Sequence, residues 1–224
     1  MKAAVAAFVF ALSVVQSAAA EDDFQIWAAL SASGPARHDS RLLLSLDGNM
    51  RWRDNASDLN FFIIRPGAGW KLNGDVSLWA GYAYSVAKQP EAQDTKEHRL
   101  WQQASYQLGE ALGGALSGRT RLEQRFFSTG DDTGWRLRQQ VRYVRPLSGP
   151  PLSLVLSEEI FFALNSTDWG ASAGYDQSRT FFGLGIRAAE SLKIETGYRL
   201  DHIRRERTAD AINQVMLISF SLSR

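Results

Sequence analysis

Apolar and polar residues alternate one by one over long runs of this chain, and no segment after residue 20 carries the spacing of a long amphipathic helix. A period of two puts successive side chains on opposite faces, so each run predicts a strand with one greasy and one polar side. From Arg41, one parity gives Leu42, Leu44, Leu46, Met50 and Trp52, and the other gives Ser45, Asp47, Asn49, Arg51 and Arg53. Over 76–86, Val76, Leu78, Ala80, Tyr82 and Tyr84 oppose Ser77, Trp79, Gly81, Ala83 and Ser85. Polar rows recur as Arg119, Arg121, Glu123 and Arg125 within 116–127, and as Arg136, Arg138, Gln140 and Arg142 within 135–143. Two more run through Arg179, Gly183, Gly185 and Arg187 over 179–188, and through Lys193, Glu195, Gly197, Arg199 and Asp201 over 192–202. Further strands fit 22–32, 59–72, 97–108, 151–163 and 212–223.

Short turns such as Asn73-Gly74-Asp75, Ser148-Gly149-Pro150 and Ala189-Glu190-Ser191 alternate with longer polar stretches at 87–96, 128–134, 164–176 and 204–211. Short on one rim and long on the other is the layout of an outer-membrane up-and-down barrel. The segments number eleven. Because single-chain bacterial barrels normally close with an even number, the expectation is an all-β, antiparallel transmembrane barrel of ten or twelve strands.

The first twenty residues explain how such a chain leaves the cytoplasm. Lys2 gives a positive start, Ala3 to Val15 an apolar run, and Ala18-Ala19-Ala20 before Glu21 a small-residue cleavage site. This predicts a signal peptide over 1–20, with residues 21–224 forming the barrel domain in the outer membrane of a Gram-negative bacterium. With Cys 0, thiolate metal sites and disulfide stapling are excluded.

Alternation alone does not say which face meets water. Lys+Arg is 25 against Asp+Glu 24, which gives no argument for nucleic acid. Within that balance twenty of the 25 cations are Arg, which favours enclosed, bidentate ion pairs over a solvated surface. Aromatic residues near strand ends on the apolar rows (Trp52, Trp70, Tyr82, Tyr84, Tyr106, Trp135, Tyr143, Tyr198) suit lipid headgroups. Both features predict polar rows inside and apolar rows toward lipid. Gln102, Gln124, Gln139 and one carboxylate of Glu158-Glu159 fall on the wrong parity, and a β-bulge or a rim position is expected to resolve each.

Several short stretches carry a resemblance. They are Arg65-Pro66-Gly67-Ala68-Gly69-Trp70, Ala80-Gly81-Tyr82, Glu97-His98-Arg99-Leu100-Trp101-Gln102-Gln103 and Arg119-Thr120-Arg121-Leu122-Glu123-Gln124-Arg125-Phe126. Glu159-Ile160-Phe161, Asp176-Gln177-Ser178-Arg179, Gly183-Leu184-Gly185 and Glu195-Thr196-Gly197-Tyr198 complete the set. Together and in this order they resemble the bacterial domain-of-unknown-function 2490 family over nearly all of the chain after residue 20. The resemblance implies an outer-membrane β-barrel with no assigned activity. Two departures are Ser178, where Asn is expected, and an end at Arg224 rather than on an aromatic residue. A signal read by the barrel-assembly machinery then sits a few residues inside the last strand, whose Met216, Ile218, Phe220 and Leu222 still alternate.

The candidate lumen carries Arg51, Arg53, Arg65, Arg99, Arg119, Arg121, Arg125, Arg136, Arg138, Arg142, Arg179, Arg187 and Arg199. They outnumber Asp47, Glu97, Glu123, Glu159, Glu195 and Asp201. A net positive lumen predicts a small-solute channel favouring anions. The alternative is a closed barrel, plugged by these same pairs, with a structural or surface-interaction role. Gly67, Gly69, Gly81, Gly183, Gly185 and Gly197 either leave room for a solute or admit a bulky neighbour. Catalysis is the least favoured reading. His38, His98 and His202 have no metal-ligand spacing, and Asp201 points away from His202 on a strand, which weakens a lipid hydrolase or acyltransferase. The expected partners are therefore outer-membrane lipid and small anions, with no cofactor and no metal.

Overall fold

The computed structural model describes residues 24–89, 92–148, 151–205 and 209–224. The signal peptide expected over 1–20 and part of the turn at 148–150 lie outside the described residues. In chain order the strands are β1 Phe24–Pro35, β2 Leu42–Arg53, β3 Asp58–Lys71, β4 Val76–Ala87, β5 Thr95–Ala111 and β6 Gly114–Phe127. They continue as β7 Gly134–Pro146, β8 Leu152–Ala163, β9 Gly174–Arg187, β10 Leu192–Ile203 and β11 Ala211–Ser223.

Each strand pairs with the next in sequence, antiparallel, and the sheet closes on itself through β1 and β11. That last pairing is parallel, running in register from Phe24↔Gln214 to Ser33↔Ser223. This corrects the expectation of an even count. The barrel has eleven strands, and an up-and-down chain with an odd number brings its first and last strands together pointing the same way. The sheet is accordingly mixed rather than wholly antiparallel.

Strand limits otherwise follow the alternation closely, with β9 as the main exception. Alternation marks only 179–188, whereas β9 begins at Gly174. The register slips between Phe161 and Phe162, so that Gln177 faces Phe161 and Tyr175 faces Phe162. A bulge of this kind breaks the parity from which a strand is read.

Long connections gather at one rim, beyond Ala87, Phe127, Ala163 and Ile203, together with the short turn at 54–57, and the other tight turns lie at the opposite rim. The outward rows are apolar and accessible: Leu44 is 51 % exposed, Trp70 50 % and Phe182 60 %. The inward rows hold the buried charges, among them Arg121, Glu123, Arg138, Glu159 and Asp201. Trp27, Trp101, Phe161, Val155 and Val215 are buried with them.

Inward glycines are slots for rings. A Cβ on Gly67 would come within 2.6 Å of the Trp101 ring, and one on Gly81 would overlap the same ring and the Pro66 carbonyl. Gly183 and Gly197 make the equivalent space for Phe181. These glycines admit bulky neighbours, one of the two readings offered by the sequence.

Candidate functional site

Because inward residues on adjacent strands stand about 5 Å apart, a glutamate can meet arginines on both neighbouring strands at once. At mid-height Glu123 on β6 accepts hydrogen bonds from Arg136 Nε and Nη2 (2.9 and 2.6 Å) and from Arg138 Nη1 (2.7 Å). Glu159 on β8 accepts from the other edge of Arg138 (3.0 and 2.8 Å) and from Arg119 (2.7 Å). Arg138 thus bridges two carboxylates, and a belt of charge runs across β6, β7 and β8.

Toward the long-connection rim, Glu97 holds Arg99 and Arg125. Asp201 takes Arg199 through Nε (2.6 Å) and Nη2 (3.1 Å). Toward the other rim, Asp47 takes Arg65, and Glu195 takes Arg142 together with Lys193. The Arg142–Glu195 pair joins β7 to β10, strands that are not sheet neighbours, so it spans the interior.

Aromatic rings carry the guanidinium faces. Arg51 and Arg199 each lie 3.5 Å from the Trp27 ring centre, and Arg51 lies 3.9 Å from that of Phe61. Arg138 and Arg179 lie 4.5 and 4.7 Å from Phe161, and Arg121 lies 4.6 Å from Trp101. Such stacking satisfies the faces and leaves the N–H edges free to donate. Sequence reasoning missed these plates, although Trp101 shares the parity of Glu97 and Arg99, and Phe161 that of Glu159.

Two chambers flank the belt. One, of about 230 Å³, opens toward the long-connection rim and is lined by Arg51, Arg65, Arg99, Arg125, Arg136, Arg138 and Arg179 against a single carboxylate, Glu97. The other, of about 480 Å³, lies at the tight-turn rim among Ser77, Gln103, Ser105, Gln107, Arg119 and Gln140. Between them stand Trp101, Arg121, Glu123 and Glu159, none more than 5 % exposed. Two of the sequence-derived lumen residues stand at the rims. Arg187 is exposed at the end of β9 and makes no ion pair among the described residues, and Arg53 is bound at the rim by Asp58 (3.0 Å).

The long connections also engage one another. Asp168 accepts the backbone N–H groups of Asp131 (2.8 Å) and Asp132 (3.2 Å), while Asp132 accepts that of Asp168 (2.9 Å). The N–H groups of Asp131 and Asp132 hold the exposed Asp168 carboxyl below its ordinary value. Trp169 donates to the Asp132 carbonyl and stacks on Phe127 with ring centres 4.2 Å apart, next to Arg125.

On the outer face, neither bulges nor rim positions account for the misplaced polar residues. Gln102 and Gln124 bond each other reciprocally (3.2 and 3.0 Å), Gln139 accepts from Thr120 (2.6 Å), and Glu158 accepts from Thr180 (2.6 Å). Each faces outward and is satisfied sideways by a neighbouring strand. His202 also faces outward. Asp201 turns inward as expected, but Asp210 reaches His202 Nε2 (3.1 Å), and the Tyr175 hydroxyl lies 2.9 Å from Nδ1. No group of side chains suited to a metal ion occurs among the described residues.

Among known proteins, an uncharacterized protein of Methylorubrum extorquens is 36 % identical over 165 residues, covering 73 % of this chain and 72 % of that protein. The siderophore receptor PirA from Pseudomonas aeruginosa aligns at 13 % identity with a TM-score of 0.31, over 81 % of this chain and 34 % of the receptor. The chain thus spans about a third of that receptor's length. The family profile described as "Protein of unknown function (DUF2490)" matches residues 24–213, a span that takes in ten whole strands and the start of the eleventh, and the chain belongs to that family.

Proposed function

We propose that this chain is an outer-membrane barrel that receives small anions in its arginine-rich chamber and is closed at mid-height by its ion-pair belt. The supporting observation is the inversion of polarity. Charged residues are buried inside while Leu44, Trp70 and Phe182 stand exposed outside, the reverse of a soluble barrel. Strands of 12 to 17 residues exceed the roughly 9 to 11 needed to cross the hydrocarbon layer. A cleaved signal peptide delivers the chain, and the assembly machinery reads the alternating last strand.

The excess of cations over carboxylates around the chamber favours anions. The buried residues between the chambers favour a closed barrel over a standing channel, so conduction requires the belt to part. Migration on a gel before and after boiling tests the barrel, because a membrane barrel stays compact in detergent until heated. Planar bilayers test closure, and silence or rare anion-selective steps are expected. Sustained large conductance would show a standing pore. One observation favours an enzyme instead, namely Tyr175, His202 and Asp210 grouped on the outer face. We take the chain as non-catalytic, and phospholipid hydrolysis that disappears on His202→Ala would overturn that.

A further inference from the structure

In the chamber at the long-connection rim, charge is left over after every carboxylate has been used. Arg51, Arg179 and Arg199 gather around Trp27, at 3.5, 5.4 and 3.5 Å from its ring centre. Asp201 gives both of its oxygens to Arg199 and lies 3.3 Å from Arg179, and among the described residues it makes no ion pair with Arg51. At that distance Arg179 Nε is out of line for a hydrogen bond, and it is buried with no hydrogen-bond partner. Arg51 makes one hydrogen bond among the described residues, from Nε to Asn49 Oδ1 (3.3 Å). Its Nη groups therefore face the chamber unpaired, held between the rings of Trp27 and Phe61. Gln177, 8 % exposed on the same chamber wall, makes no side-chain hydrogen bond among the described residues.

Clustered, half-desolvated guanidinium groups are costly unless a counter-charge meets them. We infer that Arg51, Arg179 and Gln177 bind a small multivalent oxyanion of the phosphate or sulfate class, which completes the charge of this cluster. This rests on the anion-accepting reading above and assigns the ligand class and its residues. The planar N–H edges suit paired oxygens, which a tetrahedral oxyanion presents and a halide does not. A chamber of about 230 Å³ is worth roughly seven or eight waters, enough for such an ion with part of its hydration shell.

The test is calorimetric titration of the full chain, folded in detergent, with sodium phosphate, sodium sulfate and sodium chloride at matched ionic strength. Binding of phosphate or sulfate, with no response to chloride, is expected. Arg51→Gln and Arg179→Gln should each weaken it at least tenfold, whereas Arg187→Gln at the exposed end of β9 should not change it. Arg51→Lys and Arg179→Lys keep the charge but lose the paired donors, and they serve if a Gln variant fails to fold; several-fold weaker binding is expected. Equal affinity for chloride, or equal weakening by Arg187→Gln, overturns the inference because the effect is then general electrostatics. A response only to vesicles containing anionic phospholipid, with none to soluble phosphate, overturns it too. Flotation with neutral vesicles separates the two readings. A floating barrel that ignores phosphate and sulfate sinks this inference alone, and a phosphate-binding chain that does not float sinks only the membrane assignment.

Discussion

Glu123 is the most informative single side chain to change. It is 1 % exposed and accepts three hydrogen bonds, two from Arg136 and one from Arg138. Glu123→Gln preserves its shape and removes its charge. Arg138 keeps Glu159 at 2.8 to 3.0 Å, but Arg136 is left with only Asp176 at 3.5 Å. Arg121, whose one ion pair among the described residues is with Glu123 at 3.9 Å, loses it too, so at least one buried guanidinium is left without a counter-charge, a loss worth about 3 to 5 kcal/mol in a dry interior. That is about two to three and a half orders of magnitude in the folding equilibrium. Urea unfolding in vesicles, followed by Trp fluorescence and by gel migration, would read it as a lower midpoint with an unchanged slope. At the wet rim, Asp58→Asn breaks an ion pair of similar length with Arg53 and should cost under about 1 kcal/mol. If Glu123→Gln costs no more than Asp58→Asn, the guanidinium groups of the belt reach water. The argument for a closed interior would then be refuted.

Three further outcomes follow from particular contacts. The Asp168 carboxyl is held below its ordinary value, so its hold on the loops is complete above the unfolded Asp value of about 4 and is lost as pH falls through the lowered one. Protection of the Asp131 and Asp132 amides, taken as the exchange rate relative to that of an unstructured chain at the same pH, should therefore fall only in strong acid, and Asp168→Asn should lower it at pH 7. Gly81→Val places branched carbons where the Trp101 ring and the Pro66 carbonyl already stand; it should cost about 1 to 3 kcal/mol or more, seen as a lower unfolding midpoint. Gln102→Leu alone strands Gln124 facing outward and should cost about 1 to 3 kcal/mol, while Gln102→Leu with Gln124→Leu should fold about as well as the unaltered chain.

The strands were legible because period two survives wherever pairing is regular, as it does through Arg119, Arg121, Glu123 and Arg125. It fails at a bulge, and for that reason the stretch from Gly174 to Asp176 read as loop. The Arg rows were also legible, since twenty Arg against five Lys is a choice made for paired donors. Which arginine meets which carboxylate was not, because the partner depends on register between strands. Arg142 with Glu195 depends further on the curvature that brings β7 near β10. The same applies to Gln102 with Gln124, whose lateral bonds replace the bulges that parity suggested. Closure was misjudged because the eleven segments that alternation marks were set aside in favour of the even count usual for such barrels.

The odd count fixes where labels and linkers can go. Phe24 and Ser223 leave the cylinder at opposite mouths, separated by about 30 Å of wall at the usual rise per residue. An epitope placed before the first strand and another placed after the last would therefore report from opposite mouths of the cylinder. A circular permutant joining the two ends would have to thread its linker through the bore or abandon the parallel seam.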